Sequence, residues 1–115
     1  MTLVAESLDS VVVVMLEPEP RLYDQLDGLI DTVRGRSNQD VVLDFSAVGM
    51  LTTSGISGLM RLRSLLDDSG RRLILCQVLT AVKGIFSVTG LDRVFEFADR
   101  QDDTLSAIRL VHNAH

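Results

Sequence analysis

An alternation of short apolar runs with segments of helical spacing constrains the fold of this chain more than any other feature. Residues 41–45 are apolar except for Asp44, which predicts a strand buried on both faces at the centre of a sheet. Residues 73–77 and 94–97 predict two further strands. Strands and helices that alternate in this way form a mostly parallel sheet, because the crossovers between them are right-handed.

Four amphipathic helices are predicted around these strands. The first follows Pro20, the second starts at Thr53 or Ser54 as N-cap, the third has Thr80 as N-cap, and the fourth starts at Asp102 or Asp103. The first three end near Gly35, Gly70 and Gly90. The core residues share helical spacing and are, in chain order, Leu22, Leu26, Leu29, Ile30 and Val33; Leu59, Leu62 and Leu66; Val82, Ile85 and Phe86; and Leu105, Ile108 and Val111.

The start of the chain predicts a β-hairpin. Residues 2–7 and 11–16 are extended runs separated by a turn at residues 8–10, and the Glu17-Pro18-Glu19-Pro20 segment ends the second strand because proline cannot donate to the ladder. The predicted fold is a single α/β domain over residues 1–115, with a mixed, mostly parallel sheet of four to five strands. About four helices cover it, mainly on one face.

Charge and composition exclude several classes of function. A formal net charge of −5 argues against nucleic-acid binding, and Arg61, Arg63, Arg71 and Arg72 are read as a solvated helix face with its following turn. The apolar stretch at 11–16 is too short to cross a bilayer and lacks a preceding basic region, so no membrane insertion and a cytoplasmic location are expected. Cys76 lies in an apolar run and is expected to be a core residue.

The chain offers poor candidates for catalysis. Its only histidines, His112 and His115, lie near the terminus, no metal-ligand spacing occurs, and no phosphate-binding P-loop motif is present. We therefore expect a protein that is not an enzyme and has no metal and no cofactor. Nothing in the sequence excludes a homo-oligomer.

The loop after the central strand is the first place to look for function, because functional crevices of open α/β sheets lie at the carboxyl ends of the strands. It ends in three hydroxyl residues, Thr52, Thr53 and Ser54, just ahead of the second helix. One reading is structural: Thr53 or Ser54 caps the helix. The other is functional: a phosphate on one of these hydroxyls would be tolerated at the positive helix end, and its charge would repel a docking partner.

A short apolar pair accompanies these hydroxyls. Ile56 and Met60 lie beside the core stripe of the second helix and are flanked by Arg63 and Asp67, so both are expected to be partly exposed. Such a pair suits a modest protein–protein contact, although the edge of the core is the other interpretation.

Two blocks of the sequence carry a resemblance to a known family. The first reads Val41-Val42-Leu43-Asp44-Phe45-Ser46-Ala47-Val48, followed by Thr52-Thr53-Ser54-Gly55-Ile56, and the second is Ala81-Val82-Lys83-Gly84-Ile85-Phe86-Ser87-Val88-Thr89-Gly90-Leu91. Together they resemble the STAS domain, and in particular the anti-sigma-factor antagonists, over nearly the whole chain.

The resemblance implies a partner switch. In that family the first hydroxyl of the motif is phosphorylated by an ATP-dependent kinase that is also an anti-sigma factor, and only the unphosphorylated form binds this partner. Thr52 stands at the position of the family's Asp, so the first hydroxyl of the motif corresponds to Thr53 in this chain. The implied acceptor is therefore Thr53, with Ser54 as second choice. The candidate partner-binding residues come from this motif and from the apolar pair with its flanking charge; they are Thr52, Thr53, Ser54, Gly55, Ile56, Met60 and Arg63.

Two departures from the family pattern stand out. Thr52 occupies the position where the family usually has Asp, and the Glu17-Pro18-Glu19-Pro20 segment replaces a turn that is more often Gly-Glu-Leu-Asp-like. The alternatives are therefore a STAS scaffold without phosphorylation, as a subunit of a regulatory or lipid-transport complex, or a sensor that binds a small ligand or nucleotide at the mouth of the sheet.

Overall fold

The computed structural model describes residues 5–8, 11–34 and 39–98, and only the backbone of the first range. The elements in these ranges are β1 (Ala5–Leu8), β2 (Val11–Met15), α1 (Arg21–Arg34), β3 (Asp40–Asp44), α2 (Thr53–Asp68), β4 (Leu73–Cys76), α3 (Thr80–Val88), a 3-10 turn (Leu91–Arg93) and β5 (Glu96–Ala98). Residues 9–10 of the predicted turn, the helix stop at Gly35 and the fourth helix lie outside the described residues, while Leu8 of that turn belongs to β1.

The five strands form one sheet in the order β1-β2-β3-β4-β5. β1 pairs antiparallel with β2, as the predicted hairpin requires, and the remaining pairs are parallel. The crossovers through α1, α2 and α3 each connect a strand to its next neighbour in the same direction across the sheet. Because such crossovers are right-handed, the three helices lie on the same face. The predicted sheet, the central position of β3 and the one-sided arrangement of these helices are confirmed.

The core follows from the two-residue period of the strands. On the helix-covered face, the strand residues Val14, Val41, Leu43, Leu73 and Leu75 pack with the predicted apolar stripes of the three helices. Phe86 of α3 makes edge-to-face contacts there with the rings of Phe45, Phe95 and Phe97. The alternate strand residues form a second cluster on the opposite face, consisting of Val11, Val13, Val42, Ile74 and Cys76.

Cys76 is a core residue, as expected. Its side chain is completely buried, and burial together with the nearby Asp44 carboxylate raises the pKa of the thiol to about 12. A thiol with so high a pKa is a poor nucleophile at neutral pH.

Several element boundaries differ from the prediction. β5 starts at Glu96 rather than at residue 94, because the backbone N–H groups of Val94 and Phe95 donate to the Leu91 carbonyl oxygen in the 3-10 turn. β4 ends at Cys76 because Gln77 takes a positive φ of 54°. Gly90 has the predicted positive φ, at 76°. Thr80 was wrongly predicted as the N-cap of α3: the cap is Leu79, which makes no side-chain capping bond.

Arg61 and Arg63 are partly exposed on α2, as predicted, but the turn that follows is not fully solvated. Arg71 is buried and its Nε–H donates to Ser69 Oγ at 2.6 Å. The other three each form an ion pair with a carboxylate of the same chain; the pairs are Arg61 with Asp27, Arg63 with Asp67, and Arg72 with Glu96. The bond to Glu96 raises the pKa of the Arg72 guanidinium. The positive charges of these three arginines are thus distributed over separate ion pairs within the chain.

Candidate functional site

The amino end of α2 is held by a cap that two distant parts of the chain complete. Thr52 is the N-cap residue, in extended conformation, and its hydroxyl oxygen accepts from the Gly55 backbone N–H at 3.2 Å. The same hydroxyl donates to Glu19 Oε2 at 2.6 Å, and the Thr52 backbone N–H donates to that oxygen at 3.0 Å. The prediction that Thr53 or Ser54 is the cap was wrong by one or two residues.

This arrangement is a capping box assembled across the molecule. In an ordinary capping box, a Glu or Gln three residues after the cap reaches back to the backbone N–H of the cap residue. Here that position is Gly55, and Glu19, 33 residues before Thr52, supplies the carboxylate from the loop between β2 and α1. The amino end of α2 therefore depends on the conformation of that loop.

Gly55 leaves room for this carboxylate. A Cβ atom at this position would lie 2.7 Å from Glu19 Oε2, 3.0 Å from Leu51 Cδ1 and 3.2 Å from Leu22 Cδ2. Gly55 is buried in the described structure. It therefore contributes to the packing beneath the site and not to the exposed surface of the site.

Thr53 and Ser54 follow the cap as the first two residues of α2, and both are exposed. Because Thr52 provides the capping hydroxyl, the hydroxyls of Thr53 and Ser54 are not used to hold the helix end. A group added to either one would lie beside the amino end of α2, where the helix dipole favours negative charge.

An exposed ridge continues from Thr53 along α2. Its members follow at intervals of three or four residues, so they share one side of the helix; they are Thr53, Ile56, Met60, Arg63 and Asp67. Ile56 is half-buried against the core, and 37% of Met60 is exposed. The ridge therefore presents apolar surface next to the hydroxyl, bounded by a charged pair.

Arg63 also fixes the far end of this ridge. Its Nη1 lies 3.0 Å from Asp67 Oδ2, and its Nε–H donates to the Val94 carbonyl oxygen at 2.7 Å. The contact with Val94 ties the middle of α2 to the segment that leads into β5. The guanidinium is thus held in one orientation by contacts within the chain.

A shallow depression of about 270 Å³ lies on the other side of Thr53. Its lining is hydroxyl-rich and comprises Tyr23, Thr53, Ser54, Ser57 and Arg61. Arg61 Nη2 donates to Asp27 Oδ1 of α1 at 3.3 Å, which connects this depression to the outer surface of α1. Tyr23, Ser57 and Arg61 were not predicted as site residues, because their proximity depends on how α1 packs against α2.

The carboxyl edge of the sheet lacks the usual geometry of a ligand crevice. Such a crevice opens where the strand order reverses and neighbouring crossovers lie on opposite faces. In the described part of the chain the parallel strands follow one another without reversal, so no such opening arises. Residues 5–8, 11–34 and 39–98 contain no group of three or more metal-ligating side chains and no helix long and apolar enough to cross a membrane.

Glu19 is a residue of this site that the sequence analysis did not predict, although two signals for it were present. Prolines on both sides restrict its backbone. It also follows β2, whose carboxyl end lies beside that of β3 in a parallel pair, so the loops after these strands must be neighbours. The two departures from the family pattern, at residues 17–20 and at Thr52, thus meet in one pair of hydrogen bonds.

Comparisons with known proteins are consistent with this architecture. The family model of the STAS domain matches residues 5–104. A search of curated proteins found no match. An anti-sigma factor antagonist from Mycobacterium paratuberculosis is 26% identical, with a TM-score of 0.68, and the match covers 94% of this chain and 93% of that one.

Two further solved structures share the fold at lower identity. The anti-sigma factor antagonist SpoIIAA in its unphosphorylated form is 18% identical, covers 94% of this chain and 96% of its own, and has a TM-score of 0.77. A sulfate transporter family protein from Wolinella succinogenes is also 18% identical, covers 94% of this chain and 92% of its own, and has a TM-score of 0.81.

Proposed function

The chain belongs to the STAS domain family, and on that premise we propose that it is a partner-switching regulator of the anti-sigma-factor antagonist type. In this proposal the unmodified protein binds an anti-sigma factor that is also an ATP-dependent protein kinase. The kinase phosphorylates Thr53, and the modified protein releases it. The resemblance of the site sequence to the antagonist motif and the 26% identical antagonist support this assignment.

The exposed Thr53 hydroxyl is the observation that carries the proposal. It lies one residue after the cap, at the amino end of a 16-residue helix, and next to the apolar surface of Ile56 and Met60. A kinase can reach a side chain in this position without unfolding the helix. A partner that covers the ridge also covers the hydroxyl, so binding and modification concern the same surface.

The proposed reaction is an ordinary phosphoryl transfer. Thr53 Oγ1 attacks the γ-phosphorus of ATP, and the new O–P bond replaces the bond from this phosphorus to the bridging oxygen. ADP leaves, and the hydroxyl proton passes to a base of the kinase. The product carries about 1.5 to 2 additional negative charges at neutral pH, on a surface that had been neutral at this position.

In this proposal, the negative charge of the phosphate on Thr53 causes the partner to dissociate. A partner that fits the neutral ridge would have to bury the phosphate or find new cations for it, and either requirement weakens the complex. The apolar pair is small, so a modest interface with few strong contacts is sensitive to one such change.

The first experiment is a phosphorylation assay. Each purified anti-sigma factor kinase of the native organism is incubated with ATP and this protein, and the site of modification is read by peptide mass spectrometry. We expect one phosphate at Thr53 and none in the Thr53→Ala variant. Modification elsewhere in the chain, or none with any of these kinases, contradicts the proposed acceptor.

The second experiment measures binding of the same kinases by calorimetry. Thr53→Glu should weaken binding about tenfold or more, while Thr53→Ala and the neutral Thr53→Gln retain it. Thr80→Glu is the matched control, because Thr80 is the exposed first residue of α3 and follows the neighbouring strand β4. Equal weakening by Thr53→Gln and Thr53→Glu would point to shape rather than charge.

A second candidate is a STAS scaffold without phosphorylation, acting as a subunit of a regulatory or lipid-transport complex. The structural likeness to a sulfate transporter family protein is the observation that favours it. Under this alternative no kinase modifies Thr53, and Thr53→Glu and Thr53→Ala bind the partner equally well.

A further inference from the structure

The strongest feature that the proposed function leaves unexplained is the carboxylate of Glu19 at the amino end of α2. One oxygen, Oε2, accepts both the hydroxyl and the backbone N–H of Thr52, at 2.6 Å and 3.0 Å. The same oxygen would lie 2.7 Å from a Cβ atom on Gly55. A negative charge therefore already lies at the helix end that a phosphate on the next residue, Thr53, would approach.

Two negative groups at one helix end repel each other. The N–H groups in the first turn of a helix and the helix dipole attract an anion, but the second anion is repelled by the first. A phosphate on Thr53 is attached covalently and cannot leave. Among the described residues, Glu19 is held by hydrogen bonds to Thr52, so it is the group that can move.

The loop that carries Glu19 is fixed at its start. Gln25 of α1 is buried; its Oε1 accepts from the Glu17 backbone N–H at 2.5 Å and its Nε2 donates to the Met15 carbonyl oxygen at 3.2 Å. These bonds do not involve α2. Release of Glu19 should therefore displace the Glu19 side chain and its neighbouring prolines while the beginning of the loop stays in place.

We propose that Glu19 is a positioning residue of the switch: its carboxylate holds the amino end of α2 in the unmodified protein, and a phosphate on Thr53 displaces it from Thr52. This inference rests on the proposed function, because it assigns a structural consequence to modification of Thr53. It adds the loop at residues 17–20 to the surface that changes between the two states, so a partner can distinguish them by shape as well as by charge.

The test uses amide NMR spectra of the full chain with Thr53→Glu as the charged form. The Thr52 amide proton, which bonds to Glu19, should lose its hydrogen-bonded chemical shift, and the Glu19 resonance should move. The Glu17 amide and the Gln25 side-chain amide should keep their positions and serve as internal references. Thr53→Gln and Thr80→Glu should leave the Thr52 amide unchanged.

A double-mutant cycle gives the energetic counterpart. Glu19→Gln keeps the shape and an acceptor oxygen but removes the charge. Thr53→Glu should lower the equilibrium constant for folding about fivefold more when Glu19 is present than in the Glu19→Gln variant. A factor of this size is expected for the repulsion between two partly exposed charges. No coupling between the two substitutions, together with an unchanged Thr52 amide, would overturn the inference.

These readouts concern the free protein, so they separate the two proposals. If Thr53→Glu moves the loop but the partner binds it as tightly as the wild type, the coupling stands and the proposed function fails. If partner binding weakens while the Thr52 and Glu19 resonances stay in place, the switch acts by charge alone and the role of Glu19 is refuted.

Discussion

Two helices of this molecule begin at the same edge of the sheet, and their amino ends are built differently. α2 follows β3 and starts with the exposed Thr53, while α3 follows the neighbouring β4 and starts with the exposed Thr80. The cap of α2 is a hydroxyl that bonds to its own helix and to a carboxylate from another loop. The cap of α3 is Leu79, without any side-chain capping bond.

Under the proposed function, this difference explains why a switch would be placed at α2 rather than at α3. A charge added to the start of α3 meets a helix end without a side-chain cap, with Lys83 one turn along the helix. A charge added to the start of α2 meets a carboxylate that belongs to the loop before α1, so the change can be transmitted. Both ends carry a threonine at the same position, and the surroundings rather than the residue type distinguish them.

The largest contrast is expected from alanine substitutions of one glycine in each helix. Gly55→Ala should destabilise the protein by about 1–3 kcal/mol, because the new Cβ forces Glu19 or the Leu51 and Leu22 side chains to move. A Cβ atom on Gly84 of α3 would point into open space, with no neighbouring group within 4 Å, so Gly84→Ala should stabilise by about 0.5–1 kcal/mol. Urea unfolding measures both, and shifts of the same sign would show that the two helices are packed alike.

A smaller contrast is expected at the caps themselves. Thr52→Ala removes the hydroxyl that bonds to Gly55 and Glu19, and should cost about 1–2 kcal/mol, whereas Thr52→Ser should retain most of the stability. Leu79 is 44% exposed and extended, so Leu79→Ser introduces a capping hydroxyl with little loss of packing. It should stabilise by about 0.5–1 kcal/mol in thermal or urea unfolding.

Stabilisation by Thr52→Ala, or no response to Leu79→Ser, would contradict the contrast between the caps.

The elements of this fold are predictable from local patterns, because each depends on the spacing of apolar residues. The buried stripe of α2 is an example: Leu59, Leu62 and Leu66 were predicted to face the core and are fully buried. The arrangement of the helices also followed, since consecutive right-handed crossovers leave few choices. Boundaries such as the start of β5 were missed where backbone donors go to a local turn instead of the sheet.

The candidate site could be predicted only in part. The hydroxyl segment was identified from its position after the central strand, but which hydroxyl caps the helix was not. The choice of Thr52 depends on Glu19, and a contact across 33 residues leaves no periodic signal in the sequence. The burial of Gly55 could not be predicted for the same reason, because it depends on the approach of the Glu19 carboxylate.

The smallest effect, and the one most specific to charge, is expected from glutamate at the first residue of each helix. Thr80→Glu should stabilise the protein by about 0.3–1 kcal/mol relative to Thr80→Gln, because a negative charge interacts favourably with the amino end of a helix. Thr53→Glu should gain less than this, or lose stability, relative to Thr53→Gln, since the carboxylate of Glu19 already lies at that end. Repeating the unfolding in high salt should reduce both differences, because salt screens charges at exposed positions. Equal gains at the two positions would mean that Glu19 exerts no repulsion, and the amino ends of α2 and α3 would then be electrostatically equivalent.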